Sequence, residues 1–309
     1  MPTRITEFHG VSPRFEASLE NAKRNYCPFV KNSCTKTQSG GACSLSNIGG
    51  DPVIICPKRL YTENFKVLEE ISAECFGGKV ELVDPGTAEQ RRRTASWTGH
   101  EVVVWGEYFG GEVGIPSPED ENGRSGSFRV DFLLARLDKD FQVCEIVAVE
   151  VQTIDTTDSY KKVAEKYKLN AIFEKDEDHN TKAGFNWENV SKRILPQIIY
   201  KGHALRRERL AQNGLFFVLP HQVFEKIKTR VGSRLLEYPK GPGTVTFKSF
   251  VLSDEKLDGT RDVLPKETLT TTVEQIAFAF VSPQNLPDLG VYEATLADRL
   301  AKLSRKRNL

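Results

Sequence analysis

The chain is 309 residues long, 39% hydrophobic and 28% charged, with 43 Lys and Arg against 42 Asp and Glu for a net charge of +1. A chain of this size buries a full core as one elaborated domain or two ordinary ones, and its proportions exclude a disordered or fibrous protein. The longest apolar runs, 215–220 and 276–281, fall far short of the ~20 residues that span a bilayer, and the near-neutral balance leaves any polyanionic partner to be sought in local basic clusters.

The amino end, Met1-Pro2-Thr3-Arg4, carries no apolar signal segment, so a cytoplasmic protein is expected. Four of the six cysteines then fall within thirty residues: Cys27, Cys34, Cys43 and Cys56, with six, eight and twelve residues between them. In a reducing cytosol such a Gly- and Pro-rich stretch is better served by a tetrahedral thiolate site than by two disulfides or four unrelated buried thiols, which remain the alternatives. The turns Ser39-Gly40-Gly41 and Gly49-Gly50-Asp51-Pro52 let the backbone wrap around a metal. The spacing is wider than the two-residue knuckle of zinc ribbons, and thiolate chemistry suits zinc and iron alike. No histidine is needed to complete the set, and a closed four-thiolate shell belongs to structure rather than to chemistry. A boundary near residue 60 separates this cysteine region, 1–60, from a larger region, 61–309.

Downstream, Glu107 and Glu112 lie in Trp105-Gly106-Glu107-Tyr108-Phe109-Gly110-Gly111-Glu112, where surface placement is the simpler reading and a role as an additional acid the sharper one. Residues 127–137 and 142–152 then read as a β-hairpin with apolar arms and a polar turn at Asp138-Lys139-Asp140, the centre of a buried sheet. Asp131 and Glu150 sit inside those apolar arms, where an unpaired carboxylate is costly and a bound cation compensates. Strand alternation puts Glu150 and Gln152 on one face, with Asp131 near the start of the neighbouring strand. The three make an oxygen-rich site of the kind that holds Mg2+ with several waters. The alternative is a pair of strand carboxylates bridged to Arg129 or Arg136.

After Gln152, Thr156-Thr157-Asp158 begins a helix over 159–169 with Val163, Ala164 and Tyr167 spaced for burial. Residues 187–200 and 203–212 read as two amphipathic helices broken at Pro196 and Gly202. Lys161, Lys162, Arg206 and Arg207 are the phosphate-contact candidates on these helices, against the reading of solvated faces. A buried strand at 215–219, a helix at 222–230, a strand at 244–252, regular structure over 267–281 and a basic helix or tail over 298–307 complete the chain.

Taken together, several motifs resemble the NotI-type restriction endonucleases, a group within the PD-(D/E)xK nuclease superfamily. They are Cys-Pro-Phe at 27–29 with cysteines 34, 43 and 56, Val-Asp-Phe at 130–132, Val-Glu-Val-Gln at 149–152, the stretch 186–197, and Tyr-Lys-Gly-His at 200–203. The resemblance covers about 20–225. It implies an α/β fold with a PD-(D/E)xK restriction-endonuclease-like core, a mixed central sheet flanked by helices, and a small four-cysteine metal segment in front of it. It implies a type II restriction enzyme that makes magnesium-dependent double-strand cuts at a short palindromic site, works as a homodimer on double-stranded DNA, and has a cognate methyltransferase encoded nearby. Asp131 and Glu150 would bind Mg2+, Gln152 would position water, and Cys27, Cys34, Cys43 and Cys56 would hold a structural metal, with iron the family's choice. The motif lysine of the wider superfamily is replaced here by Gln152. A repair or mobile-element nuclease, or a non-catalytic metal-stapled DNA-binding protein, are the competing readings.

Overall fold

The computed structural model describes residues 3–36, 40–119, 121, 125–157, 160–170, 180–232, 235–282, 286 and 288–307. The cysteine region builds β1 (Thr3–Phe8), α1 (Glu16–Lys23), β2 (Tyr26–Cys27), β3 (Asn32–Ser33), β4 (Ala42–Asn47) and β5 (Val53–Ile54), then a 3-10 turn at Pro57–Tyr61. Proline starts that turn where its missing N–H costs nothing. Next come α2 (Thr62–Phe76), β6 (Glu81–Val83), α3 (Pro85–Arg93), β7 (Glu101–Gly106), β8 (Gly114–Glu119), β9 (Ser125–Arg129), β10 (Phe132–Leu137) and β11 (Val143–Val151). The carboxyl half supplies α4 (Lys161–Asn170), β12 (Asn180–Thr181), a π-helical stretch Val190–Ile194 that runs into α5 (Leu195–Leu205), β13 (Leu215–Pro220) and α6 (His221–Val231). It ends with β14 (Thr244–Leu252), β15 (Val263–Thr272), α7 (Val273–Val281) and α8 (Val291–Arg307).

The expected hairpin forms as β10 and β11, antiparallel, with Phe132 opposite Val149. Its first arm is shorter than expected, because 125–129 pairs instead with β8 as a separate two-stranded ribbon. The central sheet has seven strands in the order β15-β14-β13-β11-β10-β7-β6 and is mixed: β11, β13 and β14 run parallel, while β7, β10 and β15 join antiparallel neighbours. Helices cover both faces. Alternate residues divide cleanly between two cores: Ala148, Leu215, Phe217 and Leu219 pack with α5 and α6, while Val147, Val149, Val151, Phe216 and Val218 pack with α2. Among the described residues no helix is long and apolar enough to cross a membrane.

The helical reading of 187–212 needs correction. One helix runs through both expected breaks: Pro196 lies in the first turn of α5, where a proline is tolerated. Gly202 lies inside α5 because Val273 of α7 packs where a side chain would stand. The helix ends at Leu205, so 206–212 is turn rather than a second helix.

The cysteine region is bound tightly to the rest. Its sheet has the order β12-β1-β4-β5, so β1 pairs with a strand from far along the chain. Glu7 and Arg59 form an ion pair at 3.1 Å, with side chains 0% and 2% exposed. The Arg59 Nε donates to both Glu7 oxygens, Ser44 donates to Oε2, and Arg59 Nη2 donates to the Arg261 carbonyl at 2.6 Å. Phe29 lies under the guanidinium. Removing one partner of such a pair strands a buried charge, so Glu7→Ala is expected to cost about 3–5 kcal/mol in urea unfolding. Glu7→Ala combined with Arg59→Met should lose less, since no charge is left alone; equal losses would show that the stranded charge is not the cause.

Candidate active site

Asp131 immediately precedes β10 and Glu150 is the penultimate residue of β11, so the antiparallel register that places Phe132 opposite Val149 brings the two carboxylates together. The Val151 N–H donates to Asp131 Oδ2 at 2.7 Å and fixes that carboxylate. Gly106, opposite Phe132 in β7, leaves no room for a side chain: an added Cβ would lie 2.7 Å from the Asp131 carbonyl oxygen. Glu150 shares its sheet face with Ala148 and Phe217, under α5. There it meets a residue that reading the sequence did not select. Lys201 Nζ donates to Glu150 Oε1 at 2.5 Å, with side chains 12% and 6% exposed. Glu150 Oε2 is buried and, among the described residues, has no hydrogen-bond partner.

A signal for Lys201 was present. Ile194, Ile198, Lys201 and Leu205 recur at helical spacing, and a lysine in a buried apolar stripe calls for a partner. The bridging alternatives for the carboxylates are not what forms: Arg129 pairs with Glu112 at 3.6 Å and Arg136 with Glu145 at 3.4 Å.

Burial pushes the Glu150 carboxyl up to about 7, helped by the charge of Asp131 and opposed by Lys201. Burial also raises Asp131, against the Val151 N–H and Lys201, while Glu112 and Glu107 add to the rise. A carboxyl raised in the folded state favours its protonated form there. The stabilisation this brings is complete below the ordinary value of 4.5 and is lost as pH rises through about 7, on the order of 3 kcal/mol in all. A divalent cation, were it bound here, would substitute for the missing proton. Millimolar magnesium is therefore expected to raise the melting temperature more at pH 8 than at pH 5.5; equal increments at both would argue against an ion at these carboxylates.

The donor set fits a hard divalent ion: two carboxylates close together, one oxygen bare and out of water. Gln152 lies just past the end of β11, its backbone N–H bonded to the Val218 carbonyl and its side-chain amide donating to the Thr153 carbonyl at 2.8 Å. Glu107 and Glu112 are exposed on the segment between β7 and β8. Glu107 accepts from Lys58 at 3.4 Å and from Tyr108 at 3.2 Å.

The four cysteines are all buried, and Cys27, Cys34 and Cys43 pack around Phe29. Burial raises the Cys34 and Cys43 thiols and pushes Cys56 up to about 11, and the sulfurs reinforce one another. Burial withdraws these thiols from water, but among the described residues no three of the sulfurs lie within 4.8 Å of one another, so the structure brings the cysteines near one another without assembling the expected tetrahedral shell. Among the described residues, the group of three whose ligand atoms all lie within 4.8 Å of one another is His221, Glu225 and Glu267 instead. Lys228 already neutralises it, at 2.5 Å from Glu225 and 3.1 Å from Glu267. No histidine was expected near the cysteines, yet His9 is buried beside them. Its Nδ1 bonds the Tyr26 carbonyl at 2.8 Å, and its Nε2, packed on Gly41, has no partner among the described residues.

The turn Pro57–Tyr61 joins the two clusters. It follows Cys56, sends Lys58 to Glu107 and Arg59 to Glu7, and places Tyr61 among Asp131, Glu107 and Cys56, whose charges add to the burial that pushes its phenol well up. The phosphate candidates lie farther out. Lys161 is exposed and paired with Glu165 at 3.8 Å; Lys162 and Arg207 are exposed. Arg206 pairs with Glu274 and packs on Gly243, four residues before Phe247, which stands level with Glu150 across β13. No family model matches the chain, and no curated protein matches it.

Proposed function

We propose that this chain is a magnesium-dependent DNA endonuclease with a PD-(D/E)xK-type core, a type II restriction enzyme that cuts both strands at a short palindromic sequence. The observation that carries the hydrolytic reading is the bare, buried Oε2 of Glu150 beside Asp131 at the carboxyl end of a central strand. Carboxyl ends of parallel strands are where open α/β sheets bind ligands, and perturbed carboxyls in such a place mark working sites. DNA as the substrate, a homodimer matching a palindrome, and a methyltransferase encoded nearby rest on the resemblance of the motifs to NotI-type enzymes.

When bound, magnesium supplies a nucleophilic water at neutral pH and offsets the charge that develops on the phosphate. The chain's own residues do the rest. Asp131, locked by the Val151 N–H, and Glu150, oriented by Lys201, offer their free oxygens to the cation. Burial of Glu150 and Asp131 excludes competing water and strengthens each charge interaction at the phosphate. Cys27, Cys34, Cys43 and Cys56 would hold iron or zinc as a staple, and the Pro57–Tyr61 turn would carry that order to Asp131.

The test is digestion of mixed unmethylated DNA by the purified protein, with magnesium and with chelator. Discrete magnesium-dependent fragments are expected. A smear, or cutting governed by strand state, would favour a repair or mobile-element nuclease; magnesium-independent binding of intact DNA would favour a metal-stapled binding protein.

A further inference from the structure

Four buried thiols and a buried imidazole share the amino-terminal region. His9 is 1% exposed, and its Nδ1 lies 2.8 Å from the carbonyl of Tyr26, the residue before Cys27. A carbonyl only accepts, so the ring proton sits on Nδ1 and Nε2 carries a lone pair. Among the described residues nothing donates to it. An acceptor left unpaired out of water is costly, and an imidazole anchored on a backbone carbonyl through one nitrogen is the form in which histidine presents the other to a metal. The ring faces the cysteine loops. Nε2 stands where a side chain of Gly41 would be, and the His9 backbone N–H donates to the Gly41 carbonyl at 3.0 Å. Cys43 Sγ donates to that same carbonyl at 3.6 Å and accepts from the Gly10 N–H, so the neighbour of His9 and its packing partner both touch the Cys43 sulfur. The Lys36 and Lys58 N–H groups lie against the Cys34 and Cys56 sulfurs in the same way, and such donors favour thiolate over thiol. Charge favours a nitrogen donor too. Two thiolates neutralise a divalent ion, each further one adds a negative charge beside the buried Glu7, and imidazole adds none.

We propose that His9 is a metal ligand: its Nε2 binds a zinc or ferrous ion beside the cysteine sulfurs, so that the shell mixes nitrogen with sulfur. This rests on the reading of the cysteines as a metal staple. Among the described residues no three of these donor atoms lie within 4.8 Å of one another, so the loops close onto the ion as it binds. Nothing is oxidised or reduced in that step. The thiols release their protons to solvent as sulfur–metal bonds form, and His9, whose Nε2 carries no proton, releases none.

X-ray absorption spectroscopy on the full-length protein loaded with zinc reads the shell, and competition with a chromophoric chelator reads the affinity. The wild type is expected to show a nitrogen at about 2.0–2.1 Å beside sulfurs at about 2.3 Å. His9→Asn separates ligation from packing. Its amide nitrogen can donate to the Tyr26 carbonyl as Nδ1 does, asparagine tolerates the left-handed backbone at φ 44°, and no donor remains where Nε2 stood. The variant should lose the nitrogen and bind zinc at least about 100-fold more weakly. A wild-type shell of sulfur alone, a nitrogen that survives His9→Asn, or an affinity within about threefold of wild type would make His9 a packing residue and overturn the proposal. Should His9→Asn fail to fold, His9→Cys is expected to keep zinc with sulfur in place of the nitrogen, and a nitrogen retained there would overturn the proposal equally. A wild type that takes up no zinc would remove the metal-staple reading itself, a separate failure that carries this proposal with it.

Discussion

Glu150→Ala is expected to slow cleavage by at least about 1,000-fold, equivalent to about 4 kcal/mol of lost transition-state stabilisation. Among the described residues Glu150 offers the one carboxylate oxygen in the site that is both buried and without a partner, and removing it would take away an anchor for the proposed divalent ion. The alanine also leaves the Lys201 ammonium, 12% exposed, with no counter-charge. Glu150→Gln separates those two effects, since it keeps a carbonyl for Lys201 while losing the charge. Both variants should be inactive, and both should lose the magnesium-dependent rise in melting temperature at pH 8. Glutamine cutting at a tenth of the wild-type rate would mean that the carboxylate is not a metal ligand.

Cys43→Ser should be the most damaging change to stability. Cys43 sits in β4, and its carbonyl accepts from the Ile55 and Cys56 amides at 3.0 and 3.3 Å, so it ties the cysteine loops to the turn that leads to Tyr61. Structural metal sites contribute on the order of 10 kcal/mol in small domains. A loss of even half that should lower the melting temperature by more than about 10 °C. Elemental analysis should find about one iron or zinc per wild-type chain and far less in the variant. Metal-free wild-type protein with the same melting temperature and all its thiols titratable would show that the four cysteines are only packing.

Much of the core was legible because strands buried on both faces announce themselves as continuous apolar runs. Thr244–Leu252 matches β14 to the residue, and the turn at 138–140 led correctly to the pairing that unites Asp131 with Glu150. The signal for Lys201, its place in a helical apolar stripe, was masked because Pro196 and Gly202 look like breaks until tertiary packing shows that α5 runs through both. His9 escaped for a related reason. It lies eighteen positions before Cys27 in the chain, and only the close approach of Gly41 brings it against the cysteine loops. Local patterns report how a segment buries its own side chains; they do not report which distant segment arrives to cover it.

The first strand depends on partners made much later. Thr3 and Arg4 of β1 pair with Thr181 and Asn180, and Arg59, the counter-charge of Glu7, also binds the carbonyl of Arg261. A ribosome delivers the amino end first, at about 5–20 residues per second. The opening segment can pair with β4 early, but its other edge and the Arg59 guanidinium must wait for partners until most of the chain has emerged. Nascent chains halted before about residue 180 should be protease-sensitive at their amino end, and those extended past 261 protected.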